Sequence, residues 1–355
     1  MSSLRRRGTG VVPLLVVLAF IVVLPTFGSK FFVEYVVTRA LILGLVASTI
    51  VFLSAYGGMV SLAQLLTYGV AGFVIGNCIP KTGTKGLKLG LNPWVAVVLA
   101  LVITTFVAIV LGALSSRTFG IYFLMLTLTY AVIGYYVFGQ VANISGFGGI
   151  TGLDPPTVFD GPLRLYYLAL AFSVLAFIGF RAIRRTPFGV ALEGIRDDPI
   201  RMASLGFHVP LHRTLAFGLA GFVAAIAGVL NVWWNGQIDP NTVSVDVTIH
   251  LLIIAVIGGI GRLEGAWLGA VVYVAANNYL RDLPFADSIG LTEARFNTVV
   301  GLLVLAIVVL SPDGLMGLIE RARKRVQRPT QVGTGATSTP PPPDAQVPAV
   351  LPNRS

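Results

Sequence analysis

The chain has 355 residues, 55% of them hydrophobic and only 11% charged, at a mean hydropathy of +0.84. Soluble domains carry about 25% charged residues, so an ordinary soluble enzyme or binding module is excluded and an all-α, polytopic integral membrane protein is expected. The formal net charge of +10 is no nucleic-acid footprint, because Lys and Arg flank apolar runs, the pattern that orients spans in a membrane.

In chain order, residues 1–10 are a basic leader with Arg5, Arg6 and Arg7, ahead of an apolar run at 11–27. No small-x-small cleavage site follows, so this run is expected to remain as the first span. A second span is expected at 36–55. A third, at 56–79, is broken by Gly57 and Gly58 and seeded with Ser61, Gln64, Thr67 and Tyr68. Cys78 is the only cysteine, which rules out an intramolecular disulfide and leaves a small packing residue. After a polar, Gly-rich loop at 81–91, spans four and five are expected at 93–114 and 120–140. The stretch 143–163, NISGFGGITGLDPPTVFDGPL, is too polar to span.

A sixth span at 165–180 leads into a polar, basic insertion at 181–213. The seventh is expected at 214–234, with Trp233 and Trp234 anchoring it at the membrane surface. Apolar stretches at 247–257 and 266–280 flank GGIGRLEG, residues 258–265. Each is short for a span; a tight turn between tilted spans and a helix pair broken near a pathway both fit. A last span at 296–310 is stopped by Ser311-Pro312. About ten spans thus fill a transmembrane domain at 11–312. The tail, 313–355, opens basic and turns Pro-rich; it cannot bury a core and is expected to be disordered.

With the N-terminus inside, the leader, the insertion and the tail all fall on the cytoplasmic side, both termini included. Of the 25 Lys and Arg residues, only Lys30, Arg39, Lys81, Lys85, Lys88, Arg164, Arg281 and Arg295 then lie outside, as the positive-inside rule expects. Within the insertion, Pro187 suits a first helical turn. Val190, Ala191, Ile195, Met202 and Leu205 recur at roughly helical spacing. Pro199 disfavours helical geometry at Asp198, so two short helices with a bend at Asp198-Pro199 are expected, and Gly206 suits a helix stop. A solvated loop and a docking helix for a cytoplasmic partner both fit this segment.

No GxxxxGKS/T phosphate loop is present, nor HExxH, paired CxxC or GxSxG. His208, His212 and His250 are too scattered for a metal site. No catalytic, metal or cofactor site is therefore expected. Ion-driven carriers bury carboxylates at mid-membrane, whereas the spans here are almost free of acidic residues. Uphill transport would draw its energy from elsewhere. The polar residues that could line a pathway are Gln64, Thr67, Tyr68, Thr127, Thr129, Tyr130, Asn231 and His250. Thr hydroxyls can equally bond their own helix carbonyls.

Three stretches carry a family resemblance: YGGMVSLAQLLTYGVAGF (56–73), TPFGVALEGIRDDPIRMASLGFHVPLHRTLAFGLAGFVAAIAGVL (186–230) and IGGIGRLEGAWLGA (257–270). RTFGIYFLMLTLTY (117–130) and GGITGLD (148–154) fit between them. In this order and spacing the chain resembles the LivM-type permease subunit of the branched-chain amino acid ABC importers. The resemblance implies half of a translocation pathway, paired with a second homologous permease, two ATPase subunits that use the ATP, and an extracytoplasmic solute-binding protein. It also implies a bacterial inner membrane and a small neutral solute. The insertion would then supply the helix that docks in the ATPase, with Glu193, Arg196, Asp197, Asp198 and Arg201 as polar contacts and Gly206 as the exit.

Ala63-Gln64-Leu65 stands where the family usually shows a small polar or His-containing stretch. That leaves urea or short-chain amides beside branched-chain and related neutral amino acids as solute. A stand-alone secondary carrier and an integral-membrane enzyme are the competing classes. The scarcity of membrane carboxylates and the docking-like insertion argue against the first, and the missing catalytic cluster against the second.

Overall fold

A computed structural model describes residues 32–79, 86–141, 143–153 and 161–279, together with 155–156, 159, 301–302 and 314–317. The expected first span, nearly all of the last and most of the tail lie outside these residues. A short π-helical turn, Phe32–Val37, feeds α1 (Thr38–Gly57). Then follow α2 (Gln64–Cys78), α3 (Pro93–Ser115), α4 (Gly120–Gln140) and α5 (Pro162–Ile183). The basic insertion forms α6 (Pro187–Asp197) and α7 (Pro199–Ser204), and α8 (Val209–Asn235), α9 (Val245–Gly258) and α10 (Gly265–Tyr279) complete the bundle. Eight of these helices correspond to expected spans two to nine. Five are long and apolar enough to cross a membrane, and α9 is a shorter apolar helix.

α1 and α8 make the centre. In its most apolar stretch α1 is 83% buried, against 28% for α3 and α4. α8 lies against α1, α2, α3 and α5. The approach is close because the facing residues are small. α8 buries Ala216, Ala220, Ala224 and Ala227 completely. α3 answers with Ala96, Ala100, Thr104, Ala108, Gly112 and Ser115, nearly every fourth residue, while Val98, Val102, Phe106 and Leu114 point outward. Small residues inside and large apolar ones outside is the order that lipid imposes, since lipid solvates Leu and Val as well as a core does.

The expected third span is not one continuous helix. α1 ends at Gly57, and Gly58 takes a left-handed φ of +63°. The chain then runs without regular structure to Ala63, and α2 covers only 15 residues, about 22 Å of helix against a hydrocarbon core of about 30 Å. Irregular backbone must find other partners for its polar groups, and burial against protein supplies them. Met59, Ser61, Leu62 and Ala63 are all buried. By contrast, 258–265 folds as a tight turn between α9 and α10, closed by Arg262 N–H to Gly259 O (3.1 Å) and Gly265 N–H to Arg262 O (3.0 Å).

At the opposite end, the stretch 143–163, expected to be too polar to span, contributes β1 (Ile150–Thr151), which pairs antiparallel with β2 (Gln237–Ile238) just after α8. Trp233 is not a surface anchor. It is buried and stacks on Phe159 at 5.9 Å, and Trp94 meets that same ring edge-on at 5.7 Å. Trp234 is half-buried and meets Tyr35 edge-on at 6.3 Å.

Candidate functional site

The insertion folds as its prolines and glycine require. Thr186 caps α6 by accepting from Gly189 N–H at 3.3 Å, and Pro187 occupies the first turn. α6 lays Ala191, Leu192 and Ile195 against the bundle, beside the end of α1. Asp198 breaks the helix with extended backbone and caps α7, accepting from Ile200 N–H (3.1 Å) and Arg201 N–H (3.0 Å). Its carboxylate is thus a structural cap. α7 ends in a Schellman motif: Phe207 N–H reaches Met202 O (3.1 Å) and Gly206 N–H reaches Ala203 O (3.0 Å), with Gly206 at φ +91°.

No residue of α7 is buried. Ile200 and Leu205 are 79% and 66% exposed, and Phe207 is exposed beside them. This segment stands off the bundle with apolar side chains in the open, on the side where the Arg residues gather. Asp197 and Arg201 are also exposed there.

Arg196, though still 39% exposed, and Glu193 reach back toward the bundle instead. Arg196 donates to the Ala55 carbonyl at the end of α1 and pairs with Asp197 at 2.8 Å. Its stem lies over Gly58, where an added Cβ would meet Arg196 Cγ at 2.7 Å. Glu193 pairs with Arg184 at 2.8 Å. These contacts fasten α6 to the bundle, so the expected polar docking set divides into a fastening pair and an exposed remainder.

Sequence reasoning missed Arg213. It sits one turn inside α8, 3% exposed, and donates to Ser116 O (2.7 Å) and Met59 Sδ (3.0 Å). Its guanidinium lies 4.2 Å from the Phe119 ring and 5.2 Å from that of Phe123. One buried cation thereby joins α8 to the α1–α2 and α3–α4 connections, its charge met by a carbonyl and two π faces. The only sequence signal was an Arg at the head of an apolar run.

The expected pathway residues do not form one set. Gln64 opens α2, is completely buried, and neither its Oε1 nor its Nε2 has a hydrogen-bond partner. Thr67 is buried one turn on and donates to Gln64 O at 2.8 Å; Tyr68 is buried beside it. Thr127 joins this neighbourhood by accepting from Leu62 N–H at 3.2 Å, while donating to Leu124 O at 3.0 Å. Tyr130 is buried one turn further along α4. Thr129 is exposed on the outer face of α4 and donates to its own helix at Met125 O. Asn231 is half-buried on α8, and His250 pairs with Asp246 at 3.4 Å on α9. No group of three or more His, Cys, Asp or Glu among the described residues could hold a metal ion.

A bundle with lipid-ordered helices, one broken buried element and an exposed helical projection on its basic side is that of a polytopic membrane permease. The chain belongs to the family described as "Branched-chain amino acid transport system / permease component", which matches residues 32–310. It is 25% identical over 302 residues to a probable branched-chain amino acid transport permease protein LivM of Methanocaldococcus jannaschii, covering 77% of this chain and 84% of that protein. A high-affinity branched-chain amino acid transport system permease protein LivM of Salmonella typhimurium is 25% identical over 291 residues, 73% of this chain and 65% of that one. A probable LivH permease of M. jannaschii is 24% identical over 155 residues, 43% of this chain and 48% of that protein. No solved structure matches the chain.

Proposed function

We propose that this permease is half of the translocation pathway of an ATP-driven importer for branched-chain and related neutral amino acids in a bacterial inner membrane. Its partners are a second homologous permease, two ATPase subunits that bind and hydrolyse the ATP, and an extracytoplasmic solute-binding protein. The basic side, with both termini, faces the cytoplasm.

The observation that carries this reading is α7, a helix with no buried residue that displays Ile200 and Leu205 beyond the bundle. Exposed apolar side chains of this kind mark an interaction site, and Asp197 and Arg201 beside them supply charges that select the partner. Among the described residues the spans carry no carboxylate between their ends, which fits transport driven from a partner rather than by a proton or sodium ion.

The test is co-purification of the tagged full chain from its membrane, followed by uptake of leucine, valine and urea in vesicles holding the recovered complex. An ATPase should come with the wild-type chain. Ile200→Asp with Leu205→Asp should lose it while the permease keeps its melting midpoint. Arg196 is unsuited to this test because it also holds α1. Solute uptake by the chain alone, without ATP, would overturn the reading.

A further inference from the structure

The face of α5 that looks outward changes character at its basic end. Leu175 and Ile178 are 61% and 56% exposed, and Arg181 follows at the same three-residue step, its guanidinium 5.9 Å from the Phe177 ring. Arg184 and Arg185 extend this run past the helix end. Together with Tyr56 at the foot of α1, Arg196 from α6 and the α9–α10 turn at Gly261–Glu264, they enclose a cavity of about 350 Å³. Its wall carries five arginines, Arg262 being the fifth, against the carboxylates of Glu193 and Glu264.

The ion pairs in this bowl are weak and exchangeable. Arg181 meets Glu264 at 3.0 Å and Arg184 meets Glu193 at 2.8 Å, with every partner more than a quarter exposed to solvent, a setting in which a pair contributes little. Arg185 makes no ion pair among the described residues. An entering anion can therefore take Arg185 outright and draw the neighbouring guanidinium groups from their carboxylates. The guanidinium fork matches two oxygens of a phosphate group. In a bilayer, a basic hollow at the end of an outward apolar stripe is placed to meet headgroups, with room for acyl chains along Leu175 and Ile178.

We propose that this bowl binds a phosphodiester anion, supplied by the headgroup of an anionic phospholipid. The site does not depend on which solute the permease carries or on which ATPase docks on α7.

The full chain, purified in a non-ionic detergent, is titrated with dioctanoyl phosphatidylglycerol, dioctanoyl phosphatidylcholine and inorganic phosphate, with bound lipid counted by native mass spectrometry. Phosphatidylglycerol should bind best. Arg185→Glu should weaken it roughly thirtyfold, and Glu264→Gln, which removes a competing carboxylate, should tighten it about fivefold, at about fivefold per charge contact, one for the removal and two for the reversal. Because the two variants move affinity in opposite directions, misfolding cannot imitate the result. Equal binding of phosphatidylcholine, or of inorganic phosphate, would overturn the lipid headgroup as ligand. Unchanged phosphatidylglycerol binding in Arg185→Glu, with loss of the co-purifying ATPase instead, would show that the bowl reads an acidic protein surface and would also overturn the proposal.

Discussion

Two connections in this chain look alike in sequence and fold in opposite ways. Gly57–Gly58 opens an irregular run in which Met59, Ser61, Leu62 and Ala63 are buried, whereas Gly258–Gly265 makes a tight turn whose one exposed residue is Gly261. Both are glycine pairs between apolar helices. What separates them is where their backbone groups find partners. The buried run borrows Thr127 from α4 for Leu62 N–H and leans on Arg196 for the end of α1. The tight turn closes on itself. Both lie at the same basic rim, where Tyr56 and Gly261–Glu264 line one cavity; an irregular run there needs distant residues for its backbone groups, and a closed turn does not.

The strongest way to break this contrast is Gly58→Val. Its left-handed backbone and the Arg196 stem 2.7 Å from an added Cβ should lower stability by about 3 kcal/mol, read as a fallen melting midpoint of the full chain in detergent. Thr127→Val keeps the shape but orphans Leu62 N–H, and a loss of about 2 kcal/mol is expected in the same measurement. Gln64→Leu sharpens the comparison by its sign. Removing a buried amide that has no partner should leave the melting midpoint unchanged or raised by about 1 kcal/mol. Uptake should fall nonetheless if that amide serves the passage of solute. Gly261→Val, in the tight turn with nothing within 4 Å of its added Cβ, should move stability by no more than about 0.5 kcal/mol.

Most helices were legible because apolar runs and prolines mark them in the text. α3, α4, α5 and α8 fall within a few residues of their expected bounds. So do the bend at Asp198-Pro199 and the stop at Gly206, both dictated by local backbone chemistry. What failed to show was anything set by contact across the sequence. The burial of Met59, Ser61, Leu62 and Ala63, the stacking that draws Trp233 inward, and the fastening role of Arg196 depend on residues tens of positions away, and that of Glu193 on Arg184 nine positions back. Thr129 and Thr127 read alike in a line of text, yet two residues of helical rotation put one on the exposed face of α4 and the other against Leu62.

The length of α8 has a mechanical consequence. Its 27 residues make a rod of about 40 Å whose N-terminus follows α7 directly and whose C-terminus runs into β2. Small residues pack along its middle, Arg213 ties its first turns to the α1–α2 and α3–α4 connections, and Trp233 packs its last turn. A tilt of about 5° around that middle would carry each end roughly 2 Å in opposite senses. The sheet and the Trp233 stack at one end of the rod would thus register a push delivered at the other, as the two arms of a see-saw do.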